Sequence, residues 1–356
     1  MTFEFEPKHL IKLSKNNINI KGKILEIQRM STEDGPGIRT SVFMKGCGLS
    51  CTWCHNPESI SFKPELQWLK PNCISCKICI NTCSYNGLSL TENGMQINRD
   101  NCIACGECAE ECPSAALEIL GQDTGVDELV EEVLKDRSYF EKSNGGVTVS
   151  GGEPALQTDF TFELLKKLKG KGIHTAIDTC GFSSKESYKK ILQYTDLVLF
   201  DIKLIDPGKH TEFTGKSNKL ILENLLYVSE YVKNSNKKLW VRTPIIPDAT
   251  ATDENITGIG KFIAANSIQA TKWELCAFNN LCNDKYERLG KIWDFENYKL
   301  LEPSVMEHLL ALAKKSGVNP EIIESTGSLK AEKQYKTDKS NEPAPVDYCK
   351  ITGLLD

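Results

Sequence analysis

The sequence predicts an α/β protein built on a parallel sheet with crossover helices and interrupted by a small cysteine-rich insert. Short apolar strands alternate with helical periodicity from residue 124 to about 316. Eleven of the fifteen cysteines fall between Cys47 and Cys112. Residues 62–120 differ in composition from the chain on either side.

The elements follow in order. Residues 1–20 mix charges into every apolar run, which reads as a loosely ordered arm with no secretion-type apolar core. Residues 22–30 and 38–45 read as strands around the turn Asp34-Gly35-Pro36-Gly37, and with the cysteine loop after them complete a first region, 1–61. Residues 62–120 are the insert, and 121–326 hold the rest of the main domain. Thr124 with Asp127 reads as a helix cap, followed by Val126, Leu129, Val130, Val133 and Leu134 at helical spacing. Strands are expected at 147–150, 173–177, 196–200, 239–246 and 273–278. Helices separate them at about 157–170, 184–194, 218–233, 252–266 and 303–316. None of these strands shows the polar alternation of a one-sided antiparallel sheet. Residues 327–356, rich in Lys, Glu and Pro, read as a solvated tail with a short apolar end at Ile351–Leu355.

Composition narrows the function. The 356 residues carry a formal charge of −5, with no basic patch of the kind that binds nucleic acid. No apolar run approaches the ~18 residues of a spanning helix, so a cytoplasmic protein without membrane contact is expected. In a reducing compartment many cysteines point to metal or catalysis rather than disulfides. The four scattered ones, Cys180, Cys276, Cys282 and Cys349, read as buried small hydrophobes.

The insert carries two matched runs: Cys73-x2-Cys76-x2-Cys79-x3-Cys83, then Cys102-x2-Cys105-x2-Cys108-x3-Cys112-Pro113. In this pattern three closely spaced cysteines wrap one cubane and the fourth serves the other. One [4Fe–4S] cluster is therefore assigned to Cys73, Cys76, Cys79 and Cys112, the other to Cys102, Cys105, Cys108 and Cys83. CxxC pairs also suit zinc. Eight cysteines in matched runs, the second ending in proline, argue against it, although Ser84 replaces that proline in the first. The insert resembles a two-cluster ferredoxin module over about 65–120. Alone it would be an electron carrier with no chemistry of its own, but the remaining ~250 residues call for more.

A third group, Cys47-x3-Cys51-x2-Cys54, directly follows the strand at 38–45. Three cysteines hold three corners of a cubane and leave one iron open, the condition for a catalytic metal site. Trp53 would pack beside it. The unusual polar groups lie just past expected strand ends: Gly151-Gly152-Glu153, Asp178-Thr179, Asp201 with Lys203, and Asn279, while Arg242 lies within its strand. In barrels of alternating strands and helices such positions share one mouth. Asp159 and Asp253 read as helix caps.

Cys47-x3-Cys51-x-Trp53-Cys54 followed by Gly151-Gly152-Glu153-Pro154 resembles the radical S-adenosylmethionine superfamily. Asp34-Gly35-Pro36-Gly37-Ile38-Arg39, Lys45-Gly46-Cys47 and Cys54-His55-Asn56-Pro57-Glu58 resemble more narrowly the glycyl-radical-enzyme activating enzymes, some of which carry a two-cluster insert. The resemblance implies a partial (β/α)6 TIM-type barrel with an inserted 2[4Fe–4S] ferredoxin-like domain, three [4Fe–4S] clusters, and S-adenosylmethionine at the Cys47–Cys51–Cys54 cluster. It implies reductive cleavage to a 5′-deoxyadenosyl radical that takes hydrogen from a glycine of a partner glycyl radical enzyme. A low-potential donor such as flavodoxin or ferredoxin, and anaerobic life, follow from the clusters. Gly151 and Gly152 would let backbone approach the ligand. Glu153 would accept from the methionine ammonium, Lys203 would pair with its carboxylate, and Asp178 and Arg242 would line the same site. A monovalent cation is expected near Asp178, Thr179, Leu199 and Asp201. His55 is read as structural, and Asn279 departs from the histidine of several relatives. Residues 273–289 resemble activators of hydrocarbon–fumarate-adding synthases of the benzylsuccinate or alkylsuccinate type. A radical enzyme acting on a small molecule is the alternative, against which the loop 34–39 speaks.

Overall fold

The computed structural model describes residues 20–327. The expected N-terminal arm and C-terminal tail, with Cys349, lie outside the described residues. Thirteen strands run in chain order: β1 (Lys21–Ser31), β2 (Arg39–Met44), β3 (Glu65–Trp68), β4 (Leu88–Thr91), β5 (Gly94–Ile97), β6 (Leu117–Leu120), β7 (Gln122–Gly125), β8 (Gly146–Gly151), β9 (His174–Thr179), β10 (Leu197–Asp201), β11 (Lys238–Ile245), β12 (Lys272–Ala277) and β13 (Ile323–Thr326).

Nine of these form one sheet in the order β13-β12-β11-β10-β9-β8-β2-β1-β7. From β2 to β13 every pair is parallel. β1 runs antiparallel to β2 and β7 antiparallel to β1. The six parallel strands read from sequence are all present within a residue or two, and β13 adds a seventh. β7 and β13, four residues each, are too short to show a period. β7 also takes up Thr124. The helix Val126–Leu134 therefore starts after Gly125 with no side-chain cap, in place of the expected Thr124 cap.

Parallel strands need both faces covered, which is why β2, β8 and β10 are almost wholly buried. The helices cover one face. In Lys219–Lys233 the buried positions Ile221, Leu225, Val228 and Val232 recur at spacings of four, three and four and lie on the sheet. Each such leucine stabilises by about 2 kcal/mol through lost apolar exposure. The opposite face carries a small apolar cluster of Ala176, Leu197 and Leu199 beside Trp240, and otherwise polar side chains such as Arg39, Ser41, Thr148 and Ser150. Among the described residues no helix is long and apolar enough to cross a membrane.

Between β2 and β7 the chain builds a separate small body on two two-stranded sheets, β3 with β6 and β4 with β5. Its parts recur every 29 residues, as Cys73 does at Cys102. β3 matches β5, β4 matches β6, and the helix Ile78–Thr82 matches Glu107–Glu110. Left-handed backbone recurs too, at Ser75 and Ala104, Lys77 and Gly106, Asn86 and Ala115. Each sheet joins one strand of each half, so the halves exchange partners about a pseudo-two-fold axis.

Candidate functional site

The loop after β2 is fixed by backbone. Gly46 donates to the Ser59 carbonyl and Cys47 to that of Ile60, while Ser50 and Thr52 donate to Thr214 and Phe213. Gly46 sits at φ +104°, which glycine reaches without strain. The flanking polar residues anchor this loop. Lys45, fully buried, donates through Nζ to the Glu58 carbonyl at 2.6 Å and to Glu65 at 2.9 Å. Lys285 pairs with Glu58 and donates to Asn56, each at 2.8 Å. Arg39, also fully buried, donates to Thr148 Oγ1 at 2.6 Å, Val147 O at 2.7 Å and Pro36 O at 3.3 Å. Thr148 in turn donates to Asp34 O, so Arg39 fixes the Gly-Pro turn that brings Glu33 and Asp34 to the site.

Cys47, Cys51 and Cys54 open into a cavity of about 760 Å³ at the C-terminal ends of the parallel strands. Burial pushes the Cys51 thiol up to about 11 and Cys54 further. By protein groups alone these thiols stay protonated. A metal cluster would supply the positive charge that thiolates need there, so the donor set fits one. The Leu49 amide donates to Cys47 Sγ at 3.4 Å, the kind of hydrogen bond that tunes a ligating sulfur.

Gly151, Gly152, Asp178, Asp201, Lys203 and Arg242 line the same cavity. The glycines meet protein before any ligand. A Cβ on Gly151 would lie 2.3 Å from Met44 N, and one on Gly152 2.1 Å from Gly46 O. Gly152 and Glu153 donate to Met44 and Gly46 carbonyls, which ties this turn to the cysteine loop. Glu153 differs from expectation. Its carboxylate is wholly buried and accepts from Ala155 N, Thr179 Oγ1, Cys180 N and Cys180 Sγ at 2.8–3.0 Å. Those donors occupy the oxygens expected to meet an ammonium, so Glu153 clasps two strand ends instead.

The charges beyond Glu153 come in pairs. Lys203 Nζ donates to Asp201 at 2.5 Å. Burial pulls the Lys203 ammonium down, but Asp201 and the neighbouring thiols outweigh it and hold the group charged. Arg242 lies 3.6 Å from both Asp178 and Glu274, and its buried Nε has no hydrogen-bond partner among the described residues. Burial, opposed by Arg242, lifts Asp178 to about 7, and Ser150 donates to it at 2.9 Å. Asp178, Thr179, Leu199 and Asp201 end adjacent strands, with Leu199 in register with Asp178. Both carboxylates already face protein cations.

Two cysteines read as inert, Cys180 and Cys276, also line the cavity. Cys180 lies against Cys47 and Glu153, Cys276 near Arg242. Their places two or three residues from expected strand ends were the available signal. Under the loop lies an aromatic cluster. Trp53 packs on Phe213 at 5.8 Å and Phe295 at 6.4 Å, and His55 on Phe278 and Trp293, both at 6.3 Å. Tyr286 donates to the Cys54 carbonyl at 2.9 Å. Residues 278–298 thus back the loop, and Asn279 reaches the cavity from this segment.

In the small body Cys73, Cys76, Cys79 and Cys112 line one pocket. Burial raises the Cys79 thiol, and the other thiols acting on it are Cys112, Cys76 and Cys73. Burial raises Cys108 to about 11, with Cys102, Cys105 and Cys83 acting next and Cys79 last. Cys83 and Cys112 hold equivalent places. Gly87 N donates to Cys83 Sγ at 3.3 Å, Ala116 N to Cys112 Sγ at 3.2 Å. Among the described residues no three His, Cys, Asp or Glu side chains close to the spacing of a single metal ion.

The pattern of the radical SAM superfamily matches residues 41–257. The trans-4-hydroxy-L-proline dehydratase activating enzyme of Clostridioides difficile is 41% identical over 302 residues, covering 84% of this chain and 98% of that protein. The indoleacetate decarboxylase activating enzyme of Tractidigestivibacter scatoligenes is 36% identical, covering 84% and 96%. A solved domain of pyruvate-formate lyase-activating enzyme from Bacteroides vulgatus ATCC 8482 aligns with 51% of this chain and 99% of its own, at 26% identity and a TM-score of 0.42.

Proposed function

The chain belongs to the radical SAM superfamily as a glycyl-radical-enzyme activating enzyme, and from that premise we propose how its residues divide the work. Cys47, Cys51 and Cys54 hold the active [4Fe–4S] cluster. Bound together there, cluster and S-adenosylmethionine supply the one-electron cleavage of the sulfonium bond that yields methionine and a 5′-deoxyadenosyl radical able to take hydrogen from a partner's glycine. The observation that carries this reading is the convergence of three half-buried thiols with Asp178, Asp201, Lys203 and Arg242 in one cavity.

The protein's own part is to bind and orient. Lys203, the one ammonium lining the cavity among the described residues, receives the methionine carboxylate. The Gly151–Gly152 backbone shapes the wall beside the cysteine loop. Glu153 is a positioning residue that holds that wall to the end of β9. Arg242, with an unpartnered Nε, faces the substrate side beside Asp178. A monovalent cation at Asp178, Thr179, Leu199 and Asp201 would compete with Arg242 and Lys203 for the two carboxylates. Cys282, Tyr286 and Trp293 support the loop from behind and keep water from that side.

Residues 62–120 serve as a ferredoxin-like insert on a partial barrel. The 29-residue repeat and the exchange of Cys83 and Cys112 between halves support two four-iron clusters there. A low-potential carrier such as flavodoxin or ferredoxin feeds them, in an oxygen-free cytoplasm. For the partner, the relatives' names bring forward a hydroxyproline dehydratase and an arylacetate decarboxylase. The hydrocarbon–fumarate-adding synthases suggested by residues 273–289 are the third class to assay.

The test is to incubate reconstituted protein with S-adenosylmethionine, a strong reductant and each candidate partner. Methionine, deoxyadenosine and an organic radical on one partner's glycine are expected. Deoxyadenosine without a radical on any such glycine would overturn the activating role in favour of a small-molecule substrate.

A further inference from the structure

The two halves of the insert repeat in backbone and oppose each other in charge. Between residues 62 and 91 the exposed charged side chains are Lys63, Lys70 and Lys77. The one acid there, Glu65, is taken up by Lys45 and Lys291. Between 92 and 120 the exposed charged residues are acids, such as Asp100, Glu107, Glu110 and Glu111, with the single exception of Arg99.

Arg99 also orients the insert. Its guanidinium donates to Leu66 O at 2.6 Å and to Leu289 O at 2.8 Å. Leu289 closes the helix Asn283–Leu289, whose Tyr286 meets the Cys54 carbonyl. Both halves are thus tied toward the active loop, the first through Glu65 on Lys45 and the second through Arg99 on Leu289. Lys70 lies 29 residues before Arg99, at the equivalent place in the first half, and is exposed. Further along the same half Ile74 is 65% exposed and Ile78 40% exposed, and Cys76 is exposed between them. The pocket lined by Cys73, Cys76, Cys79 and Cys112 reaches this face through Ile74, Ser75 and Lys77.

We propose that the face formed by Lys70, Ile74, Lys77 and Ile78 is the docking surface for an acidic, reduced electron-carrier protein. This rests on reading the insert as a two-cluster module. The lysines meet the carrier's carboxylates, and the isoleucines supply the dry centre of a small contact. Electron-transfer encounters are typically small and weak, and gain their speed from charge steering. In each encounter the carrier is oxidised by one electron and this protein is reduced by one, with no bond or proton exchanged. The acidic second half repels such a carrier, so the charge asymmetry selects which half it meets.

The test uses the holoenzyme with a reduced acidic flavodoxin, following the bleaching of iron–sulfur absorption by stopped flow. Lys70→Glu/Lys77→Glu should lower the second-order rate about tenfold at low salt. The difference should shrink at high salt, where charges are screened. Reduction by dithionite, which needs no docking face, should keep its rate. Asp100→Lys/Glu107→Lys on the second half should match or exceed the parent. Parent-like rates for the Lys70/Lys77 variant, with full iron, would overturn the docking surface alone. An equal loss from the Asp100/Glu107 variant would do the same. An insert that binds no iron in the parent protein would overturn both the surface and the two-cluster reading beneath it.

Discussion

The cysteine loop after β2 and the cysteine body between β3 and β6 use the same side chain for opposite ends. The loop presents three thiols to a 760 Å³ cavity ringed by paired charges. The body presents its thiols in fours, around a pocket lined otherwise by Trp68, Leu90, Met95 and Leu117. The loop is pinned by buried partners on every side, among them Lys45, Glu58 and Tyr286. The body keeps Cys76 and Cys105 exposed. A three-thiol set with room and charge beside it leaves a metal position for a reactant. In the function proposed for the body, a closed four-thiol set near the surface takes and passes electrons.

The largest effect should come from breaking the loop. Cys51→Ala leaves two protein ligands and should abolish cleavage of S-adenosylmethionine with every reductant, while iron falls from roughly twelve to eight per chain if three four-iron clusters are held. Iron analysis and a deoxyadenosine assay check both halves of this. Full iron with no cleavage would mean that Cys51 acts otherwise than as a ligand.

Cys76→Ala should separate the two regions. The cavity at the loop stays open to a small reductant, so cleavage with dithionite should persist. Cleavage driven by a carrier protein should drop by about tenfold or more, since the relay cluster loses one of its four ligands. Complete loss with both reductants, in protein that retains the loop cluster, would assign the body more than electron delivery.

Glu153→Ala sharpens the division within the loop site. Removing a buried carboxylate that satisfies Ala155, Thr179 and Cys180 should cost about 2 kcal/mol of stability. Thermal or urea unfolding of the apoprotein reads this directly. A residue that only bound ligand would leave that unfolding unchanged and raise the KM for S-adenosylmethionine instead.

The smallest effect is one of pH. Asp178 has its proton affinity raised by burial, to about 7 in the folded chain against an ordinary 3.8. Between these values the folded state binds the extra proton, so apoprotein stability should fall as pH rises from 4 toward 7. The contribution is present below the ordinary value and lost through the folded one. Asp178→Asn should flatten that slope in urea titrations across the range. An unchanged slope would place the titrating group elsewhere, with Glu153 the next to examine.

Ligand spacing was legible along the chain because it is local. Cys73-x2-Cys76-x2-Cys79 must wrap one point whatever surrounds it, and the parallel strands declare themselves as short stretches rich in Val, Ile, Thr and Leu that alternate with helical periodicity. The positions of Asp178, Asp201 and Lys203 at one mouth followed from that alternation, since strand ends in such a sheet share a side. The sequence by itself therefore determined which residues gather.

Only the tertiary structure decided what each of them faces. Glu153 sits in the right stretch yet spends its carboxylate on Thr179 and Cys180, partners 26 and 27 residues away. Cys180 and Cys276 looked inert because a lone cysteine has no spacing to read, yet both reach the cavity. Gly152 is required by the carbonyl of Gly46 across the sheet. Lys45 and Glu58, motif residues by position, turn out to be anchors. Orientation was fixed in the same way. Arg99 and Lys70 hold equivalent places in the repeat, yet only Arg99 donates to Leu289. The physical reason is common to all of these. A short-range pattern fixes backbone and register, but hydrogen bonds and charge pairs form between segments far apart in sequence, and the folded geometry decides which donor meets which acceptor.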